Sequence, residues 1–506
     1  MTRLRRAHRY VGALTLTAMA VAASTTGTAN AATLPVATPV KSGASIRVEP
    51  AAVQFVGNQV VSALIAQPGF NTMLTAANPL ATGTALLTNY TATGSNWKAV
   101  SGSAKVTVDP ANNGTLVITG QLNTITANVN AKTVGLLNLN VNGTAAVTSA
   151  TFSGTAKIGP GVNGSVATVT VPTFSLTANN VAVTMPTLPA LFVNPIVTAL
   201  KPKIETTLAA NLKQALATQV TSFVNAFPST LKIPIYGGTV RPSASIVSAS
   251  GSGGGLNIVS DASLVPVTAN GPKNLTYNSV GTGPAPAATS VAPNGTRYPL
   301  GMVVSKDLIN QAAAAAAQAG VLNTTLTKKD IPALGTVPAL LNALGLGSLQ
   351  ISDVQLRTSV AAAPTVSLSS APGTMGTLGL NSLNVIVDLK MSGSAVFQPL
   401  VSIAVNASAP FDLVPVNGTA LRPHLTGMPR VTITSFKDLS TTDSQLIDAA
   451  LVQAIWDSLP AEFLPFIDAL IPAVAIPKVG PYTLTVGAVW VTNPSANFLS
   501  IAGNLS

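Results

Sequence analysis

Two hydrophobic rhythms alternate along the chain. Over 51–67, Phe55, Val56, Val60, Val61, Leu64 and Ile65 fall at helical spacing and predict an amphipathic helix. From 81 to 185 the pattern changes to short Val/Thr/Leu/Ile runs broken by Asn113-Gly114, Asn142-Gly143 and Asn163-Gly164, which predicts a meander of antiparallel strands. Ile204, Leu208, Leu212, Leu216 and Val220 then recur every fourth residue, and Phe223, Val224 and Phe227 extend the stripe of a long helix. Lys203, Glu205 and Gln214 lie off that stripe. Strand-like sequence returns over 231–265, and a Pro/Gly/Ser/Thr/Asn-rich stretch at 268–299 reads as a linker without a core of its own.

The second half repeats this programme. Ser305 is placed to cap a helix whose interior is the alanine run 312–317 and whose stop is Gly320. Strands follow over 349–436. Leu446, Ile447, Ala450, Leu451, Ala454 and Ile455 then mark another amphipathic helix. A shift of 243 residues lays Ile204, Leu208, Leu212 and Leu216 on Ile447, Leu451, Ile455 and Leu459. The same shift lays Ile233-Pro234 on Ile476-Pro477, and Leu256 and Ile258 on Leu499 and Ile501. This self-similarity predicts a tandem duplication.

The 506 residues are too many for one ordinary core, and 47% hydrophobic against 8% charged residues provides for packed domains. Arg3, Arg5, Arg6 and Arg9 precede an apolar stretch and the small-residue pattern Ala29-Asn30-Ala31, so residues 1–31 read as a signal peptide for export. Without its four arginines the chain carries 22 basic and 15 acidic side chains, a net of +7. All of that excess lies in 32–266, with 11 basic and 4 acidic residues, whereas 267–506 has 11 of each. Such asymmetry suits an anionic membrane surface, although dispersed lysines also serve solubility. With aromatics at 4%, nucleic acid is not an expected partner.

Chemistry-bearing motifs are scarce. There is no cysteine, hence no disulfide, thiolate zinc site or cysteine nucleophile. Beyond the leader the one histidine is His424, in a Pro-flanked stretch without a Gly-x-Ser-x-Gly elbow. No phosphate loop, His-x-x-x-His pair or calcium-loop pattern occurs. The expectation is a protein that is not an enzyme and needs no cofactor or metal.

Leu300-Gly301-Met302-Val303-Val304-Ser305-Lys306-Asp307-Leu308-Ile309-Asn310, then Ala319-Gly320-Val321-Leu322 and Ile331-Pro332, resembles the opening of the second domain of bactericidal/permeability-increasing protein and its lipid-transfer relatives. Ile471-Pro472-Ala473-Val474-Ala475-Ile476-Pro477-Lys478-Val479, Asn493-Pro494 and Asn497-Phe498-Leu499 resemble that family's closing elements. The resemblance, to the tubular lipid-binding proteins, implies an α+β fold. Two tandem barrels of twisted antiparallel sheet would each wrap round a long helix and be joined by a central sheet, giving a boomerang. The expected division is 1–31 signal peptide, 32–267 N-terminal lipid-binding barrel, 268–299 linker and 300–506 C-terminal lipid-binding barrel. The disulfide of the animal members cannot form here, and their dense cationic tip is only partly reproduced, which leaves endotoxin binding an open question for this chain.

The resulting expectation is an exported lipid-binding or lipid-transfer protein that holds a phospholipid, fatty acid or other acyl lipid in apolar grooves. Its basic first half would face anionic headgroups. The lining candidates are Val60, Val61 and Leu64, Ile204, Leu208 and Leu212, Leu308 and Ile309, and Ile447, Leu451 and Ile455. The same stripes would equally serve a filled core. The alternative function is a cell-surface structural or adhesive β-rich protein. Each buried CH2 gains about 0.8 kcal/mol, so an eight-carbon stretch gains roughly 6 kcal/mol without covalent chemistry.

Overall fold

The computed structural model describes residues 32–35, 38–54, 58, 61–62, 69–85, 87–109, 111, 114–161, 166–229, 233–235, 238–267, 270–273, 275–279, 283, 285–320, 322–329, 332–335, 338–339, 350–371, 373–439, 474–475, 484–492 and 497–505. The expected leader at 1–31 and the helix around 446–459 lie outside these residues. The described chain is mostly β-sheet with few helices. It divides into two compact units, one formed by Arg47–Asn225 with Ile246–Ile258, the other by Met1–Ile46, Ala226–Ser245 and Val259–Ser506. The bounds of these units at 46, 245 and 258 fall within strands.

The chain opens with β1 (Ala32–Pro35) and β2 (Val40–Val48), and the described residues of the expected 51–67 helix are helical. After the short α1 (Gly69–Thr75), the unit built on Arg47–Asn225 contains the predicted meander. Its strands are β3 (Ala81–Ala85), β4 (Thr88–Val108), β5 (Thr115–Gly135), β6 (Asn140–Pro160) and β7 (Ala167–Thr184), paired antiparallel in sequence order. Three of them are 21 residues long, about 70 Å at 3.3 Å per residue. Side chains alternate between buried and exposed along β5, as a sheet with one wet face requires. Bulges at Ser95/Lys98 and Thr155/Lys157 bend the strands, and the sheet curls as a half-barrel along α2 (Ala190–Ser229).

The helix α2 spans 40 residues, about 60 Å. It starts fourteen residues before the periodicity at Ile204 suggests, and passes through Pro195 and Pro202. Each proline lacks an amide hydrogen and crowds the carbonyl four residues back, which normally ends a helix. Here the apolar stripe continues across both as Phe192, Ile196 and Leu200, all fully buried, so tertiary burial overrides the local break.

In the other unit, β8 (Ile233–Ile235), β9 (Gly238–Ser252), β10 (Gly255–Pro266), β11 (Thr276–Ser279) and β12 (Leu300–Ser305) lead to α3 (Lys306–Ala319). There follow β13 (Thr324–Leu326), β14 (Ile351–Val360), β15 (Thr365–Leu368), β16 (Gly376–Met391), β17 (Phe397–Val416), β18 (Ala420–Leu425), β19 (Arg430–Asp438), β20 (Val474–Ala475), β21 (Leu484–Thr492) and β22 (Phe498–Leu505). One seven-stranded sheet runs β21-β22-β12-β2-β10-β9-β8 and so draws strands from both halves of the sequence. Outward from its centre each half contributes its opening strand and then its closing hairpin. A second sheet is built on β13-β14-β16-β17-β18-β20, with β15 pairing β16 and β19 pairing β17.

The ends of α3 are those the sequence predicts. The Leu308 amide donates to Ser305 Oγ at 3.2 Å, and Gly320 closes the helix at φ 102°, which glycine adopts without strain. The stretch 268–299 is more than a spacer: Leu275 and Tyr277 are buried against α3, and Ala285 and Ala288 pack with Val303 and Phe498. Composition alone hides this, because β11 uses few residues to dock on β1 and on the helix.

Candidate functional site

Between α2 and its sheet lies one continuous apolar interior. The helix supplies Phe192, Ile196, Leu200, Ile204, Leu208, Leu212, Leu216 and Val220, one large side chain per turn. The sheet answers with many small ones, among them Ala92, Ala131, Ala145, Ala150, Ala156 and Ala178. Trp97, Ile118, Leu122, Ile125, Phe152 and Leu176 stand among those alanines on the strands, so the interior is filled by side chains of mixed size from both sides. The seam has few polar bonds. Glu205 accepts the Ala178 amide at 2.9 Å, tying the middle of α2 to β7, and Tyr90 meets the Phe192 ring edge-on at 6.3 Å.

The structure brings Val61, Ile204, Leu208 and Leu212 into this single cluster, each no more than 1% exposed. Val60 and Leu64 lie outside the described residues, as do Ile447, Leu451 and Ile455. Leu308 and Ile309 belong to two other clusters, Leu308 with Tyr277 and the α3 alanines, Ile309 with Phe411 and Leu413. Sequence reasoning missed Phe192, Ile196 and Leu200. Their four-residue spacing continues back from Ile204, but the two prolines disguise it.

Trp97 was missed as well. Its ring is 2% exposed and packs over Gly94, where a β-carbon would lie 2.7 Å from Cζ2. Asn78 fastens the backbone there, accepting from the Gly94 amide at 2.7 Å and donating to the Gly94 carbonyl at 2.8 Å. The Trp97 amide donates to Asn71 Oδ1 at 2.7 Å, whereas its indole N–H has no hydrogen-bond partner among the described residues. An unpaired buried donor costs about 1–3 kcal/mol, so this wall of the interior has polar capacity to spare.

The outer face of the same sheet is polar and paired within itself. Ser153 meets Ser175 at 2.9 Å, Thr155 meets Thr173 at 2.7 Å, and Asn130 donates to both Asn140 and Asn142 at 2.8 Å. Lys98, Lys105, Lys132 and Lys157 are exposed on these strands, but spread along them.

In the other unit α3 is buried quite differently. Ala313 to Ala317 are at most 1% exposed, and the polar residues beside them are buried too. Gln311 donates to the Thr38 carbonyl at 2.5 Å and accepts from the Leu264 amide at 2.8 Å. Asn310 accepts the Val366 amide, and Asp307 accepts from Ser279 Oγ at 3.0 Å. Burial, with the Asp307 charge beside it, pushes the Tyr277 phenol up to about 12. Burial also pulls the Lys306 ammonium down against the opposing pull of Asp307.

His424 is exposed on β18 opposite Asp412 of β17. Among the described residues no group of three or more His, Cys, Asp or Glu could hold a metal ion, and no helix is long and apolar enough to cross a membrane.

No protein-family model matches the chain, and no curated protein matches it. Among solved structures, a lipopolysaccharide binding protein aligns over 92% of this chain and 99% of its own, at 13% identity and a TM-score of 0.47. The P47 protein of Clostridium botulinum E1 aligns over 93% of this chain and 100% of its own, at 9% identity and a TM-score of 0.24. P47 from Clostridium botulinum A2 aligns over 92% and 98%, at 12% identity and the same TM-score.

Proposed function

We propose that the protein is an exported, non-enzymatic lipid-binding protein that holds an acyl chain along α2 and carries lipid to or from anionic membrane surfaces. The observation that carries this reading is the shape of the apolar interior. A compact globular core needs no 40-residue helix laid along 21-residue strands, whereas a chain-shaped guest some tens of ångströms long matches such a seam. The apolar side chains that meet along this seam can shift by rotamer changes to admit methylenes, since their contacts are not directional. Ile204, Leu208 and Leu212 are the helix contacts in this reading, with Val61 at the same interior. By the repeat in the sequence, the 447–455 segment would serve a second seam.

The adhesive alternative would draw on the outer polar face, whose Ser, Thr and Asn side chains are already paired with one another. Protein stripped of lipid on a hydrophobic resin should take up a fluorescent fatty acid saturably, and unlabelled phospholipid should compete it off. Absence of uptake by stripped, folded protein overturns the proposal.

A further inference from the structure

Two neighbouring turns at one end of the five-stranded sheet carry leucines where turn chemistry disfavours them. Ala85 pairs with Thr88, and Leu87 stands at the connection between β3 and β4. Leu87 sits at φ 58°, a conformation that favours Gly, Asn or Asp, and is 87% exposed. The β5–β6 turn carries Leu136-Leu137, with Leu136 76% exposed. The two turns are adjacent, since Thr88 pairs with Gly135 and a β-carbon on Gly135 would lie 2.7 Å from the Leu87 carbonyl oxygen. Val134 and Leu191 add exposed apolar surface at the same end, Leu191 next to the Phe192 that meets Tyr90.

We infer that this leucine-tipped end inserts into the interface of an anionic phospholipid bilayer. Three observations point to a bilayer. The apolar side chains stand exposed at strand-connecting turns, where they can enter among lipids. Part of the backbone of the larger turn is bonded within it: Thr133 Oγ1 donates to the Leu137 carbonyl at 2.7 Å and accepts from the Leu139 amide at 2.8 Å. Asn138 Oδ1 accepts from the Gly135 amide at 3.1 Å. Backbone entering a low-dielectric layer needs that satisfaction. Charge agrees: between Glu49 and Glu205 the one acid is Asp109, at the opposite end of β4, while Lys132 lies four residues from Leu136. Lys132 would attract headgroup phosphates, whereas a second copy docked end to end would bring the two Lys132 charges together.

The inference rests on reading the first half as membrane-facing but is separable from cargo binding. The test uses the full chain, without its leader, in sedimentation with vesicles of phosphatidylglycerol and phosphatidylcholine. The double variant Leu87→Asn, Leu136→Asn should bind these vesicles about tenfold more weakly than the parent. Its thermal midpoint should hold or rise, because asparagine accepts the left-handed conformation at 87. Its uptake of fluorescent fatty acid should be unchanged, so loss of vesicle binding is distinguished from loss of the cargo site. Equal vesicle binding by parent and variant overturns the inference, as does a parent that ignores vesicles. A parent that self-associates through this end, with the variant monomeric, assigns the tip to a second copy and overturns it too.

Discussion

The helices α2 and α3 are both buried, but by opposite means. Along α2 the contact is made by large apolar side chains, with Glu205 as the polar tie near its middle. Along α3 the apolar contact is made mostly by alanines, with Leu308 and Ile309 at its start, and Asp307, Asn310 and Gln311 bond to four other segments: the β1–β2 connection, β10, β11 and β15. Dispersion and hydrophobic burial are non-directional, so a seam like that of α2 tolerates sliding, repacking and replacement of one methylene by another. A buried polar network tolerates none of these, because any shift leaves a donor or acceptor unpaired. The difference assigns adaptability to the α2 seam and fixity to the α3 hub.

The comparison can be broken at either helix. Leu208→Ala removes a fully buried side chain and should cost about 2–5 kcal/mol in urea unfolding of lipid-free protein. Saturating fatty acid should return part of that loss, since a guest chain can occupy the vacated volume. Equal destabilisation with and without fatty acid would place Leu208 in an ordinary closed core. Gln311→Leu is nearly isosteric but strands the Leu264 amide and the Thr38 carbonyl, and should cost about 1–3 kcal/mol. Fatty acid should not restore it. Restoration there would mean that the hub is as adaptable as the seam.

A milder probe is titration. Burial and the Asp307 charge raise the Tyr277 phenol from its usual value near 10 to about 12. The unfolded chain then ionises this group first, so its contribution to stability is complete below about pH 10 and is lost as the pH climbs toward about 12. Ultraviolet titration should show one late tyrosine that disappears in Tyr277→Phe. A titration curve unaltered by that substitution would remove Tyr277 from the buried hub.

Much of this contrast is legible in the sequence. The four-residue spacing from Ile204 to Val220, the alternating strands from 81 to 185, and the Ser305 and Gly320 caps each follow from local rules and match the structure. What was not legible depends on partners distant in sequence. Pro195 and Pro202 argue locally for a stop, and only burial against the sheet carries α2 through them. Asn310 and Gln311 look like the polar side of an alanine-rich surface helix until Thr38, Leu264 and Val366 arrive to bond them. Tyr277 sits in a stretch whose composition describes a spacer, and one docked strand changes its role. The turn leucines are visible as letters at 87 and 136–137, but the adjacency of the two turns depends on strand register. The candidate interior was thus half legible: its helix face was predicted from Ile204 onward, whereas which strand residues meet it, Trp97 and the buried alanines among them, depends on register and on bulges.

The central claim is that a lipid occupies the interior along α2. Native mass spectrometry of protein purified without detergent bears on it most directly. The account predicts a species heavier than the chain by the mass of one or more acyl lipids, reduced to the bare chain after organic extraction. A folded protein that runs only at the bare mass, and stays there after incubation with fatty acid and phospholipid, would contradict it.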